Sequence, residues 1–350
     1  MIRKVGKRSW LPIVTGAFVL LSQLGTNLDA SGADYTVSQF ASNTPSYNSP
    51  DSIAVAGDRI FVGFNNGTST TGSDGLSSTI VQYTKDGTVV QTFSVLGHND
   101  GLRVNPADGQ LWAIQNEDGN PNLAIINPDT GAIATYSLSA PHAGGYDDVT
   151  FVKGQAYISA STPTLDPSGV NIFPAIVSVS ISGGTATLTP VLYGNAPGFD
   201  AITGAAVTLN LIDPDSLTKT PKGSLVLSNQ AADQVIIVDK PGTASQTAYV
   251  LAVTDPNGNS ISLDDTLFPK AGRGFILVSD QGAGIVYKVQ SSRPLKHGMV
   301  FSAALDAGIL GELNLDTGVL TPVVTVIANP RGLGYVRGKH EDEDEHSDDD

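Results

Sequence analysis

No cysteine occurs in the 350 residues. That absence excludes a disulfide framework, a thiolate metal centre and a cysteine nucleophile. Charged side chains are scarce, 15% of the chain against roughly 25% in ordinary soluble domains, so salt-bridged surface helices and coiled coils are not expected. Positive charge is scarcer still. Nineteen Lys and Arg face 34 Asp and Glu, a net charge of −15. Such a chain repels phosphate, which argues against nucleic acid or an anionic membrane as partner. There is no Gly-x-Ser-x-Gly elbow, no His-Glu-x-x-His pair and no phosphate-binding glycine loop, so serine hydrolase, zinc protease and nucleotidase readings lose ground. Between residues 34 and 339 no segment sustains a 3.6-residue apolar period long enough for a helix.

What is present is 40% hydrophobic residues with 38 Gly and 20 Pro, enough apolar matter for a sizeable core interrupted by many turns. The two ends stand apart from the fold. Residues 1–33 read as an export signal: Arg3, Lys4, Lys7 and Arg8 form a basic start, residues 11–24 an apolar stretch, and Ser31-Gly32-Ala33 a small-residue cleavage site. The apolar stretch is shorter than the ~20 residues a spanning helix needs, so cleavage before Asp34 and a secreted or periplasmic location are expected, with no stable membrane insertion afterwards. Residues 340–350 hold eight acids and two histidines and read as a solvated, disordered tail. The folded domain is therefore 34–339.

A drifting repeat organises this domain. A small or apolar residue, an acid and a run of alternating apolar positions recur as Pro50-Asp51-Ser52-Ile53, Asn99-Asp100-Gly101-Leu102, Tyr146-Asp147-Asp148-Val149, Phe199-Asp200-Ala201-Ile202 and Leu263-Asp264-Asp265-Thr266. Pro330-Arg331-Gly332-Leu333 is a sixth, with Arg331 in the acid's place. Most starts are followed by short β-branched and aromatic runs separated by Gly, Asp, Asn or Pro turns, which are strand signals. Four strands per unit of about fifty residues is the pattern of a β-propeller blade. The fold expected is all-β, a six-bladed β-propeller. Five or seven blades stay open, and a β-sandwich pair is the rival. The stretch 264–331 carries more strand-like runs than one blade needs, so a blade with a degenerate first strand is expected there, with residues 331–336 and 35–40 closing the ring.

Several pieces resemble the NHL-repeat and gluconolactonase/regucalcin-like superfamily of six-bladed propellers. They are Gly101-Leu102-Arg103-Val104-Asn105-Pro106 with Gly109-Gln110-Leu111-Trp112, Leu277-Val278-Ser279-Asp280-Gln281-Gly282, and Gly311-Glu312-Leu313-Asn314-Leu315-Asp316 with Asn329-Pro330-Arg331-Gly332-Leu333. The resemblance spans most of residues 50–337 and rests on blade-forming positions. It implies a central channel and, in lactonase members, one divalent metal held there by Glu, Asn and Asp. The first-blade Pro-Glu-Gly-Pro of that family is replaced by Ser49-Pro50-Asp51-Ser52.

Inner strands of a propeller start around one end of its channel, so Asp51, Asp100, Asp147, Asp200 and Asp264 are the candidate metal ligands, with Asp148 and Asp265 one step behind. Five carboxylates cannot crowd a narrow mouth unpaired. A bound cation of the Ca²⁺ type, solvent, or local hydrogen bonds to each carboxylate must relieve them. His98 and His142 precede inner strands and are the candidate general bases. Asp255-Pro256-Asn257-Gly258-Asn259 reads as a turn rather than a Ca²⁺ loop. Residues 69–78, 161–171 and 213–222 are expected rim loops. The first functional reading is an exported propeller, expected to be monomeric, that binds a small-molecule or protein ligand through its face without an assigned reaction. The alternative is a metal-dependent, Ca²⁺-type lactonase- or esterase-like hydrolase with its site at the channel.

Overall fold

A computed structural model describes residues 34–338. Residues 1–33, read from the sequence as an export signal, and residues 340–350, read as an acidic tail, lie outside the described residues. Six sheets form the six blades of a β-propeller, and the described residues contain no α-helix, only a 3₁₀ turn at Gln230–Ala232.

The first three blades follow the chain in order, each an antiparallel sheet running from the axis outwards. Blade one is Pro50–Ala56, Arg59–Phe64, Ser77–Tyr83 and Val89–Leu96. Blade two is Asn99–Val104, Leu111–Gln115, Asn122–Ile126 and Ile133–Ser137. Blade three is Val149–Val152, Gln155–Ser159, Pro174–Ser182 and Thr185–Tyr193. Burial explains the sequence pattern. The second strand of blade two, Leu111–Gln115, is buried at every position, while its outermost strand, Ile133–Ser137, is almost wholly exposed. A sheet packed on both faces reads as a continuous apolar run, and one facing water does not.

Blade four departs from the expected repeat. Its inner strand is Pro214–Lys219, followed outwards by Leu225–Asn229, Gln234–Asp239 and Thr247–Ala252. The hairpin Pro197–Asp200 and Ala206–Thr208 adds two strands outside these, the first parallel to Thr247–Ala252. Residues 214–219 are thus a strand at the axis and not part of a rim loop.

The last two blades are interlaced. Blade five begins at the axis with the two-residue strand Thr266–Leu267, which pairs with Phe301–Ala304, then Ile309–Leu313 and Leu320–Val324. Between Leu267 and Phe301 the chain crosses into blade six and forms its middle strands, Gly274–Asp280 and Ile285–Ser291. Pro330–Arg337 supplies the inner strand of blade six and Tyr35–Ser42 the outer one. The degenerate first strand and the two-ended closure agree with the sequence. The runs at 275–278 and 285–287, which by chain order would follow the start at Asp264 in one blade, belong instead to blade six. The reason is local: Pro269, two residues beyond Leu267, offers no N–H to a ladder, and the strand stops before a hairpin can form.

Six apolar clusters fill the six junctions between neighbouring blades. Ala54, Phe61 and Ile80 of blade one meet Leu102 and Leu111 of blade two, and Trp112 and Ile114 meet Val149 and Phe151 of blade three. Ile176 packs on Leu217 and Leu225, Val226 and Val235 on Val300 and Leu313, Phe301 and Leu310 on Val278 and Tyr287. Leu277 and Val336 return to Ile53 and Ile60. Each fully buried Leu, Ile or Phe contributes about 1.5–3 kcal/mol, so the ring is held by packing at every spoke and leaves its axis for polar groups.

Candidate functional site

The inner strands begin at one face, and each brings one charged residue, at or just before its start, to the axis. From blade one to blade six these are Asp51, Asp100, Asp147, Asp215, Asp264 and Arg331, which line one central well. Four of the five expected aspartates are brought together. Asp200 is not. It lies on the outer hairpin of blade four, where it accepts hydrogen bonds from the Ile202 N–H at 3.1 Å, the Thr203 N–H at 2.7 Å and the Thr203 hydroxyl at 2.8 Å. Those bonds hold its carboxyl below the usual range. Asp215 takes the place on the axis, and the sequence does carry its signal: Pro214-Asp215-Ser216-Leu217 repeats Pro50-Asp51-Ser52-Ile53.

Below this ring lies a second layer with a structural task. Asp148 accepts the N–H of its own neighbour Val149 at 2.7 Å and that of Leu217 in blade four at 3.1 Å, and it pairs with Arg103 at 3.1 Å. Asp265 accepts Thr266 N–H at 2.7 Å and the Leu333 N–H of blade six at 2.8 Å. Both carboxylates therefore latch one blade to the next. The equivalent positions in blades two and six are glycines, because a Cβ on Gly101 would stand 2.4 Å from the Asp147 carbonyl oxygen and one on Gly332 2.5 Å from that of Asp51.

The upper ring is electrostatically loaded. Burial raises the pKa of Asp51 against the lowering effect of Arg331 and Asn65. Burial, then the neighbouring charges of Glu117 and Asp51, holds Asp100 well above the carboxylate range. Burial, then the neighbouring charge of Asp215, holds Asp147 well above the carboxylate range, and burial, then the charge of Asp264, does the same for Asp215. Asp264 is pushed by burial to about 6, and its Oδ2 has no hydrogen-bond partner. Glu117, absent from the repeat, joins the ring from the loop after Leu111–Gln115. It is pushed to about 7 by burial and by Asp118 and Asp51.

The two histidines part ways. His142 is buried beneath its loop, its Nε2 donating to the Gly145 carbonyl at 2.7 Å and its ring edge-on to Tyr146 at 5.2 Å. It packs a loop and does not face the ring. His98 does. Its Nδ1 lies 2.7 Å from the Thr68 carbonyl oxygen, so that nitrogen carries the proton. Nε2 then presents its lone pair to Asp100 Oδ1 at 3.3 Å. Burial keeps the imidazole neutral by lowering its pKa. One ligand atom each from Asp51, His98 and Asp100 lie within 4.8 Å of one another, and this buried group could hold a metal ion.

Outside the ring a cavity of about 390 Å³ opens over blades six, one and two, walled by Ser49, Asn65, Thr70, Gln281, Asn329 and Arg331. Gln281 and Asn65 donate to Asp51 Oδ2 at 3.1 and 3.3 Å. No Ala, Val, Leu, Ile, Met, Phe, Tyr or Trp side chain lines it. Thr70, in the expected rim loop 69–78, lines this cavity, while residues 77–78 of that segment already belong to a strand of blade one.

No protein-family model matches the sequence, and no curated protein matches it. Among solved structures, a Bacteroides caccae protein of unknown function is 12% identical, with a TM-score of 0.51 over 89% of this chain and 98% of its own. A structure described as a putative gluconolactonase is 14% identical, with a TM-score of 0.47 over 85% of this chain and 84% of its own. Virginiamycin B lyase from Staphylococcus aureus is 14% identical, with a TM-score of 0.46 over 87% and 96%. At these identities the likeness is one of fold.

Proposed function

We propose that the propeller holds one divalent cation at Asp51, His98 and Asp100, and that the polar cavity above it binds a small polar ligand. One observation carries this reading. With Nδ1–H committed to Thr68, the Nε2 lone pair of His98 and a carboxylate oxygen of Asp100 face each other at 3.3 Å. Two lone pairs at that distance repel unless a cation or a proton lies between them. A histidine fixed by a carbonyl through its far nitrogen is also the usual outer-shell support of a metal ligand. Carboxylate oxygens suit Ca²⁺, Mg²⁺ or Mn²⁺, and the imidazole widens the choice towards Zn²⁺. The polar and charged side chains of the cavity wall favour a hydroxyl-, amide- or carbonyl-bearing ligand over an apolar one. Following the export signal read in residues 1–33, we place this binding outside the cytoplasm.

The test is elemental analysis of the purified mature protein, with calorimetric titration of Ca²⁺, Mn²⁺ and Zn²⁺ into wild type, Asp100→Asn and His98→Gln. One equivalent bound by wild type and weakened at least about tenfold in both variants is expected. A wild type that binds none of these ions overturns the reading.

A second reading, a metal-dependent lactonase- or esterase-like hydrolase, is favoured by Glu117. This carboxyl lines both the well and the cavity and is pushed to about 7 by burial and its acidic neighbours, the range suited to a proton donor near neutrality. A bound cation would supply Lewis-acid polarisation of a carbonyl. Under this reading, turnover of simple lactones or esters disappears in Glu117→Gln while cation binding persists. Absence of turnover across such a panel leaves the binding reading alone.

A further inference from the structure

The sixth ring position is a cation, and its placement is not incidental. Pro330-Arg331-Gly332-Leu333 enters the axis as Pro50-Asp51-Ser52-Ile53 and Pro214-Asp215-Ser216-Leu217 do, so Arg331 is a member of the ring and not a rim side chain reaching in. Gly332 lets its strand pass against blade one, where even a Cβ would meet the Asp51 carbonyl. Arg331 Nη1 lies 3.4 Å from Asp264 Oδ2, an oxygen in a residue only 6% exposed that receives no hydrogen bond. Its Nε is steered by Asn329 Oδ1 at 3.4 Å. The other arginine of the well, Arg103, is committed to Asp148 in the deeper layer. Among the described residues, Arg331 is therefore the single fixed positive charge of the upper ring, which carries Asp51, Asp100, Asp147, Asp215, Asp264 and Glu117.

We infer that Arg331 acts as a resident cation: it neutralises the Asp264 side of the ring and so fixes both how many divalent ions the ring takes and where, restricting it to one ion on the His98 side. This rests on the cation site proposed above. The ring is asymmetric in the required sense. Arg331 stands beside Asp264, whereas His98 and Asp100 belong to blade two, and Asp51 lies between the two groups. A second divalent ion at Asp264 would have to share space with the guanidinium. Charge–charge repulsion in a poorly solvated well is strong, so removing Arg331 should open that side.

Calorimetric titration and elemental analysis with Ca²⁺ and Mn²⁺ test this on wild type, Arg331→Gln and Arg331→Lys. The expected outcome is one equivalent in wild type and Arg331→Lys. Arg331→Gln should take a second equivalent or bind at least about tenfold more tightly. Unchanged stoichiometry and affinity in Arg331→Gln, with wild type loaded, overturns the inference and leaves the cation site standing. Binding by Arg331→Gln alone overturns the wild-type site but supports the resident cation, and binding by neither overturns both. If Arg331→Gln does not fold, the double variant Asp264→Asn/Arg331→Gln, which removes one charge of each sign, should keep the wild-type single equivalent. Loss of that ion in the double variant would make Arg331 a support of the metal site and refute its role as a counter-charge.

Discussion

Asp265 offers a direct measure of how the axis is held together. Its two oxygens accept Thr266 N–H at 2.7 Å and Leu333 N–H at 2.8 Å, and both residues are buried, Thr266 at 3% and Leu333 at 1% exposure. Asp265→Ala strands two amides away from water, each costing about 1–3 kcal/mol. Part of that is returned, because burial of the carboxyl raises its pKa to about 7 and removing it relieves the desolvation behind that shift. A net loss of about 2–3 kcal/mol is expected. Asp265→Asn keeps one carbonyl acceptor without a charge and should lose about half as much. Urea unfolding followed by tryptophan fluorescence reads both variants as a lower midpoint at constant m. An alanine variant within about 0.5 kcal/mol of wild type, or an asparagine variant as damaged as the alanine, would refute the latch between blades five and six.

Ring acidity predicts the pH response of the metal-free protein. Glu117 and Asp265 are held near 7 and Asp264 near 6, above their unfolded values, so the folded state retains protons that the unfolded chain has released. Their contribution is complete below the ordinary carboxylate range and is lost as pH rises through 6–7. Thermal unfolding in the presence of a chelator should therefore show lower stability at pH 8 than at pH 5, and stability rising over that interval would contradict the assignment. The axis also separates two aspartates that the sequence makes look alike. Asp200→Ala should leave cation affinity unchanged, whereas Asp215→Asn should alter it by removing a charge from the ring. Calorimetry showing the reverse would mean that the ring is misassigned.

Much of this arrangement is legible in the chain because it is local. Apolar runs such as Leu111-Trp112-Ala113-Ile114 declare a strand buried on both faces, and the acid before each inner strand marks four of the ring's five aspartates. The parts that were hidden depend on distance. Phe199-Asp200-Ala201-Ile202 imitates a blade start, but it forms a hairpin outside blade four, and the true start fifteen residues later was masked by reading 213–222 as a loop. Glu117 sits on a connection that belongs to no repeat. His98 and His142 look equivalent in sequence. Only the carbonyl that each nitrogen meets, Thr68 for one and Gly145 for the other, distinguishes a group facing the ring from one packed under a loop.

The interlacing of blades five and six bears on how an acidic axis can be tolerated. Mutual repulsion of the ring carboxylates pushes the blades apart, and a propeller yields first at the junction least well tied. The chain passes between blades five and six three times, after Leu267, after Ser291 and after Val324, but only once between blades six and one, after Ser42. The thrice-crossed junction is also the one latched by Asp265. At the singly crossed junction Arg331 stands on blade six and Asp51 on blade one, with Gln281 of blade six donating to Asp51, and the field of Arg331 lowers the cost of ionising that carboxyl. The fold thus puts the ring's fixed positive charge beside a seam that the chain crosses only once, and a divalent ion at Asp51, His98 and Asp100 would tie blade one to blade two at the next seam.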